Sequence, residues 1–271
     1  MRGVRFAGRR ALVSGASRGI GAAVARRLAA EGADVALVAR TLDEHPTLPG
    51  SLRQTAAAVE AHGGRAAVVV ADLSDADDRA GVVPEAVAAL GGPLDVLVNN
   101  AAAAIYQPLL DFPLRRRRLS FEVNLHAPLD LAQAAVPAMV ERGEGWVVNL
   151  TSAAAKHTAG PPFPADGLRS TIGIYGATKA ALDRMTNALA VELEGTGVRV
   201  NAVEPRVAVL SEGASALVGH LLGDDAVESM EEMVEAVLAL CDCAAAVTGG
   251  VHVSLDLLER LGLPVRSLDG A

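Results

Sequence analysis

Short continuous apolar runs alternate along the chain with longer stretches in which apolar positions recur every three or four residues. The short runs predict strands buried on both faces, and the longer stretches predict helices that cover them. Strands are predicted at Ala11–Ser14, Val35–Ala39, Ala66–Val70, Val96–Asn99, Val147–Leu150, Val198–Val203 and near Val251–Val253. Helices are predicted over Gly19–Glu31, Ser51–His62, Asp75–Leu90, Leu114–Arg142, Ile174–Glu194 and Ala226–Leu240. Pro84, near the middle of the third helix, is expected to break it or delay its start. The strand–helix unit repeats from residue 1 to residue 271 without a Ser/Gly linker or a shift in composition. This predicts a single α/β domain, a doubly wound parallel sheet of about seven strands in three layers. Three irregular stretches, Thr41–Gly50, Ala153–Gly173 and Pro205–Gly223, each follow a strand. Each can therefore reach the carboxyl edge of the sheet, where open α/β sheets bind their ligands.

Composition narrows the function classes. Hydrophobic residues make up 51% of the 271, enough for a large core rather than disorder. A net charge of −8 argues against a nucleic-acid partner, which Lys and Arg would have to attract. Only Lys156 and Lys179 are lysines, and the abundance of arginine reads as a compositional habit. Cys241 and Cys243, one residue apart, make no disulfide framework, and the scattered histidines show no metal-ligand spacing, so no metal is expected. The arginine-rich N-terminus lacks the apolar segment of a secretory signal, and no run of about 18 apolar residues is present to span a membrane. The expectation is a cytoplasmic protein with no membrane contact.

Candidate chemistry sits at strand ends. The first predicted strand runs into Ser14-Gly15-Ala16-Ser17-Arg18-Gly19-Ile20-Gly21, which opens a helix. Glycines there let the backbone turn tightly and approach a pyrophosphate, whose charge meets unpaired N–H groups at the helix start. The spacing is Gly-x3-Gly-x-Gly, and no Lys-Ser/Thr follows as in a P-loop. The second strand ends at Ala39-Arg40. An acid at this point would take the ribose hydroxyl of NAD, whereas Arg40 and Arg18 are cations suited to the 2′-phosphate of NADP. Tyr175 and Lys179 lie four apart on a predicted helix, so phenol and ammonium converge on one ligand. A neighbouring cation stabilises a phenolate and is expected to draw the Tyr175 pKa downward.

Together these residues resemble the short-chain dehydrogenase/reductase family in its short single-domain, Rossmann-like form, over essentially the whole chain. The resemblance assigns Gly15, Ser17, Arg18, Gly19, Ile20 and Gly21 to cofactor binding, with Arg40, Asp72, Leu73 and Asn99 completing that set. Asp72-Leu73 matches the acidic position that contacts adenine, and Asn99-Asn100-Ala101 matches the motif after the fourth strand. Asn124 looks like the helix asparagine that helps hold a proton-relay water, and Ser152 is similar to the serine that orients the substrate oxygen. Tyr175 and Lys179 match the acid/base and its helper, which also bind cofactor. The implied function is an NADPH-preferring oxidoreductase, with NAD also possible as cofactor. It would interconvert a small, apolar carbonyl compound and its alcohol, as a homodimer or homotetramer built on the Leu114–Arg142 and Ile174–Glu194 helices. The competing readings are a non-catalytic NADP-binding regulator and a reductase of CoA- or acyl-carrier-linked substrates that dock on Arg115–Arg118.

Departures from the family pattern cluster on the substrate side. Ser152 and Tyr175 are 23 apart, with Pro161-Pro162-Phe163-Pro164 in the extra segment, and Ser170 and Thr171 compete for the hydroxyl role. Pro205 is followed by Arg206 rather than glycine, and Leu210 stands where a threonine is usual. Phe163, Leu210, Leu217, Leu221 and Leu222 suggest an apolar substrate.

Overall fold

The computed structural model describes residues 5–163, 167–211 and 227–271. Seven strands, β1 Arg10–Ser14, β2 Asp34–Ala39, β3 Ala66–Val70, β4 Val96–Asn99, β5 Gly145–Leu150, β6 Val198–Glu204 and, last in the chain, β9 Val251–Val253, form one parallel sheet. Their order is β3-β2-β1-β4-β5-β6-β9. Between β6 and β9 a separate ribbon pairs β7 Ala208–Val209 with β8 Val227–Glu228. The helices are α1 Gly19–Ala30, α2 Leu52–Glu60, α3 Ala76–Leu90, α4 Leu114–Phe121, α5 Ala127–Arg142, α6 Gly173–Glu192, α7 Met230–Leu240 and α8 Ser254–Leu261.

Successive strand residues point to opposite faces, and both faces are covered. On one, Ala11 and Val13 of β1 join Val35 and Leu37 of β2 beneath α1, α2, α7 and α8. On the other, Leu12, Ala36 and Val38 pack beneath α3 and α5, and Val147, Val198 and Val200 meet α5 and α6. Buried Arg27 of α1 fastens the first layer by donating to Glu31 at 2.8 Å and to Glu235 of α7 at 2.9 Å. Strand order reverses at β1, since β2 and β3 lie to one side and β4 onward to the other. This leaves a crevice at the carboxyl ends of β1 and β4.

Three expectations need correction. Pro84 does not break α3, which runs on through it. Ala80, whose carbonyl loses its helical donor to the proline ring, is exposed along with Pro84, so water can take that bond. The Leu114–Arg142 helix divides into α4 and α5 around a π-turn at Glu122–His126. Pro128 has no N–H to donate to the Asn124 carbonyl, and the regular ladder fails at that residue. The helix predicted from Ala226 begins at Met230, because Ser229 and Glu232 form a capping box. Val227–Glu228 before it is strand, and Ala226 lies outside the described residues. Helix α8 was not foreseen.

Candidate active site

Gly15 and Gly19 carry φ of +67° and +57°, a left-handed conformation that favours glycine. Gly21 serves close packing instead. A Cβ on it would lie 2.4 Å from both the Gly15 carbonyl oxygen and Asn100 Nδ2, so α1 rests directly on the turn. Asn100 closes the crevice: its backbone N–H donates to Ser14 Oγ at 3.0 Å, and Nδ2 donates to the Ser14 and Gly15 carbonyls at 2.9 and 3.2 Å. This clamp between β4 and β1 was invisible until the two strands were known to be neighbours. Asn99 points inward, where Nδ2 donates to Asn149 Oδ1 at 2.9 Å and braces β4 against β5.

The first turn of α1 has the donor set a pyrophosphate needs. Its cap residue, Arg18, supplies no side-chain cap and the turn holds no acid, whereas Ser51, Asp75 and Ser229 cap α2, α3 and α7. The opening N–H groups are thus left for an anion. Ser17 is buried in the same turn, and Ile20 packs on the core below it.

At the end of β2 the two arginines differ. Arg18 is committed to the irregular stretch after β2: Nε donates to the Pro49 carbonyl at 2.9 Å, and Nη2 to the Gly50 carbonyl at 3.1 Å. Arg40 is 68% exposed and lies 3.7 Å from Asp72. Asp72 accepts from Ser74 N–H and Oγ. Although its partial burial acts the other way, those bonds and Arg40 hold its carboxyl below the ordinary range. Leu73 is buried, and its carbonyl accepts from Arg79.

Tyr175 and Lys179 project from α6 toward the end of β5. Ser152, just past that strand, lies near enough to the Tyr175 phenol to favour its charged form, and its Oγ accepts from Ala154 N–H. Ser170 and Thr171 instead donate to carbonyls of their own turn, Gly167 and Leu168. Gly176 allows this closeness, since a Cβ there would meet the Ala154 carbonyl at 2.3 Å. Lys179, buried, donates to the Leu150 carbonyl at 2.7 Å, and Nζ sits 5.8 Å from the Tyr175 ring centre. Burial lowers the Lys179 pKa to about 8, with Asp183 acting against it. The downward shift expected for Tyr175 is not found in the chain by itself. Burial raises the phenol, Tyr106 adds to that, and nearby Ser152 opposes it. Tyr106, given no role from sequence, packs edge-on against Tyr175 with ring centres 5.7 Å apart.

Asn124 is fully buried in the π-turn. Its Oδ1 accepts from Ala103 N–H at 2.7 Å, and Nδ2 donates to Thr178 Oγ1 at 3.0 Å. The side chain therefore pins the segment after β4 onto α6. On the substrate side, Arg206 donates from its backbone N–H to Glu228 and Ser254, and from its side chain to Asp256 and Glu259, anchoring the chain after β6 to α8. Phe163 and Leu210 are exposed, whereas Leu217, Leu221 and Leu222 lie outside the described residues. Among the described residues no helix is long and apolar enough to cross a membrane.

Comparison with known proteins agrees with this geometry. Residues 9–213 match the short chain dehydrogenase family model. The chain is 34% identical to L-xylulose reductase of Bos taurus, over 93% of this chain and 97% of that one. It is 30% identical to hydroxysteroid dehydrogenase-like protein 2 of Danio rerio over 96% of its own length, but spans only 60% of that longer protein. A solved 3-oxoacyl (acyl-carrier-protein) reductase from Agrobacterium tumefaciens C58, with NADP bound, superposes with a TM-score of 0.78 at 30% identity, covering 93% and 94% of the two chains. A Rossmann-like sheet, a glycine turn at its switch point and a Ser–Tyr–Lys group at the neighbouring strand end complete the case: the chain belongs to the short-chain dehydrogenase/reductase family, oxidoreductases that use NAD(P) and act on CH–OH groups.

Proposed function

We propose that the protein is an NADPH-preferring reductase of a small carbonyl compound, with Tyr175 as its acid/base. The observation that carries this reading is the convergence of Ser152, Tyr175 and Lys179 at the end of β5, where Lys179 donates to the Leu150 carbonyl and Gly176 lets α6 lie against the segment that follows Ser152. When bound, the nicotinamide supplies the hydride. Ser152 holds the substrate oxygen, and Tyr175 gives that oxygen its proton. Lys179 favours the phenolate left behind and holds the nicotinamide ribose. The opening N–H groups of α1, on Gly19, Ile20 and Gly21, hold the pyrophosphate together with Ser17, while Asp72, Leu73 and Asn99 line the adenine side and the sheet floor. Arg40 meets the 2′-phosphate from an exposed position, with Arg18 shaping the adjoining loop. Tyr106, Phe163 and Leu210 give the substrate side an apolar lining. The whole chain acts in this reading as one cofactor-binding domain, associated as a dimer or tetramer through α4–α5 and α6.

A panel of carbonyl compounds with NADPH, followed by nucleotide absorbance, tests the class. Tight NADPH binding without turnover on a broad panel favours a binding protein instead. A carrier-linked substrate is the second reading. Arg115–Arg118 occupy the exposed first turn of α4 without an acidic ion-pair partner among the described residues. That patch lies beside the helix that carries Tyr175, because α4 packs against α6. Turnover restricted to CoA- or carrier-linked ketones would select it.

A further inference from the structure

Tyr175, Lys179 and Asp183 are spaced by four residues on α6 and share one stripe of the helix. The stripe faces the ends of β5 and β6. Lys179 bonds to the Leu150 carbonyl, and Asp183 lies against Thr151, the next residue. The register pairs Leu150 with Val203, which brings Thr151 beside Glu204 on the same face of the sheet. Three elements thus gather two carboxylates behind the ammonium. Glu204 is itself ion-paired to Lys156, a 62% exposed side chain from the segment after β5. The charged groups facing Lys179 and Asp183 are therefore each other on α6, Lys156 after β5 and Glu204 at the end of β6.

This cluster is poorly satisfied. Asp183 Oδ1, Glu204 Oε2 and Thr151 Oγ1 are buried without a hydrogen-bond partner among the described residues. Thr151 is near enough to favour the Asp183 charge, though no well-aligned bond joins them. Buried polar atoms of this kind cost stability, and apolar side chains would pack there more favourably. Their arrangement makes sense through the lysine they surround.

We propose that Asp183 is a positioning residue for this reaction: its carboxylate holds the Lys179 ammonium charged inside the protein, and Lys156 enables it to do so by neutralising Glu204. The proposal rests on the reading of Tyr175 and Lys179 given above. Burial alone favours neutral Lys179, and Asp183 is the group that opposes it. Burial is also the first cause raising the Asp183 pKa, reinforced by Glu204 and opposed by Thr151, Lys179 and Lys156. Removing the carboxylate should therefore let Lys179 lose its proton at lower pH.

The test is NADPH binding, followed by nucleotide fluorescence from roughly pH 6 to roughly pH 10, alongside kcat/KM on the best carbonyl substrate. In Asp183→Asn the alkaline midpoint of both profiles should fall by about one pH unit, while the low-pH plateau stays within about twofold of wild type. Asp183→Glu should restore the midpoint. A merely structural role would lower the melting temperature or the plateau at every pH and leave the midpoint in place, which overturns the proposal. Asp183→Ser, neutral and smaller, replaces the Asn variant if that one does not fold. Lys179→Ala separates the two levels of inference. If it loses NADPH affinity while Asp183→Asn keeps the wild-type midpoint, only the positioning role fails. If it binds NADPH as wild type does, the reading of Lys179 fails and the Asp183 proposal with it.

Discussion

Gly21→Ala sets intrinsic helix propensity against packing at the cofactor turn. Gly21 is the third residue of α1, where alanine should stabilise by about 1 kcal/mol on propensity alone. The added Cβ, however, would sit 2.4 Å from the Gly15 carbonyl oxygen and 2.4 Å from Asn100 Nδ2. Ordinary contact begins near 3.4 Å, so α1 and the Gly15 turn must separate by about 1 Å. Overpacking of this kind costs about 1–3 kcal/mol, which outweighs the propensity gain at all but its lower end. The net loss, up to about 2 kcal/mol, lowers the melting temperature by up to roughly 8 °C in a chain of this size. The same displacement carries the N–H donors of the turn away from a pyrophosphate. Losing one charge-assisted bond, about 1.5–3 kcal/mol, weakens NADPH binding roughly ten- to a hundredfold. Thermal melts with and without NADPH, together with a fluorescence titration, measure both effects. A variant that melts higher than wild type and binds NADPH equally well would refute the packing argument and the role given to the turn.

Arg40→Asp replaces a cation with a repelling carboxylate, so it should weaken NADPH by roughly ten- to a hundredfold and NADH much less; an unchanged ratio of the two Kd values removes Arg40 from the 2′-phosphate site. Arg27→Met leaves Glu31 and Glu235 buried without their shared cation and should cost about 3–5 kcal/mol in urea unfolding, whereas a loss below about 1 kcal/mol would mean the cluster relaxes freely. In the wild type, NADPH affinity should fall as pH rises through about 8, because the Lys179 pKa lies below its ordinary value and the ammonium is lost there; affinity level to about pH 10 contradicts the assignment.

Much of this was legible in the sequence because it is written in local periodicity. The strands through Leu12, Val98 and Val148 are buried on both faces, so they read as continuous apolar runs. Tyr175 and Lys179 stand out because both residue types are rare in this chain and one helical turn separates them. What stayed hidden depends on which elements become neighbours. Asn100 acquires its role only once β4 lies beside β1, and Glu204 meets Asp183 only through the β5–β6 register. Arg18 reads as a free phosphate ligand until the irregular stretch after β2 folds back and occupies its guanidinium. The rise in the Tyr175 pKa follows from burial, which no spacing encodes. Pro84 misled because the penalty for proline depends on whether the abandoned carbonyl can reach water, and here Ala80 and Pro84 are both exposed.

The most direct test of the central claim is Tyr175→Phe, which deletes one oxygen and keeps the ring that packs against Tyr106. NADPH affinity should stay within about twofold of wild type, while carbonyl reduction falls at least about a hundredfold, the lower end for loss of a general acid. The measurement pairs a fluorescence titration with initial rates on the best substrate from the carbonyl panel. Near-normal turnover in a folded Tyr175→Phe protein would contradict the account, because the proton would then come from some other group than the phenol beside Ser152.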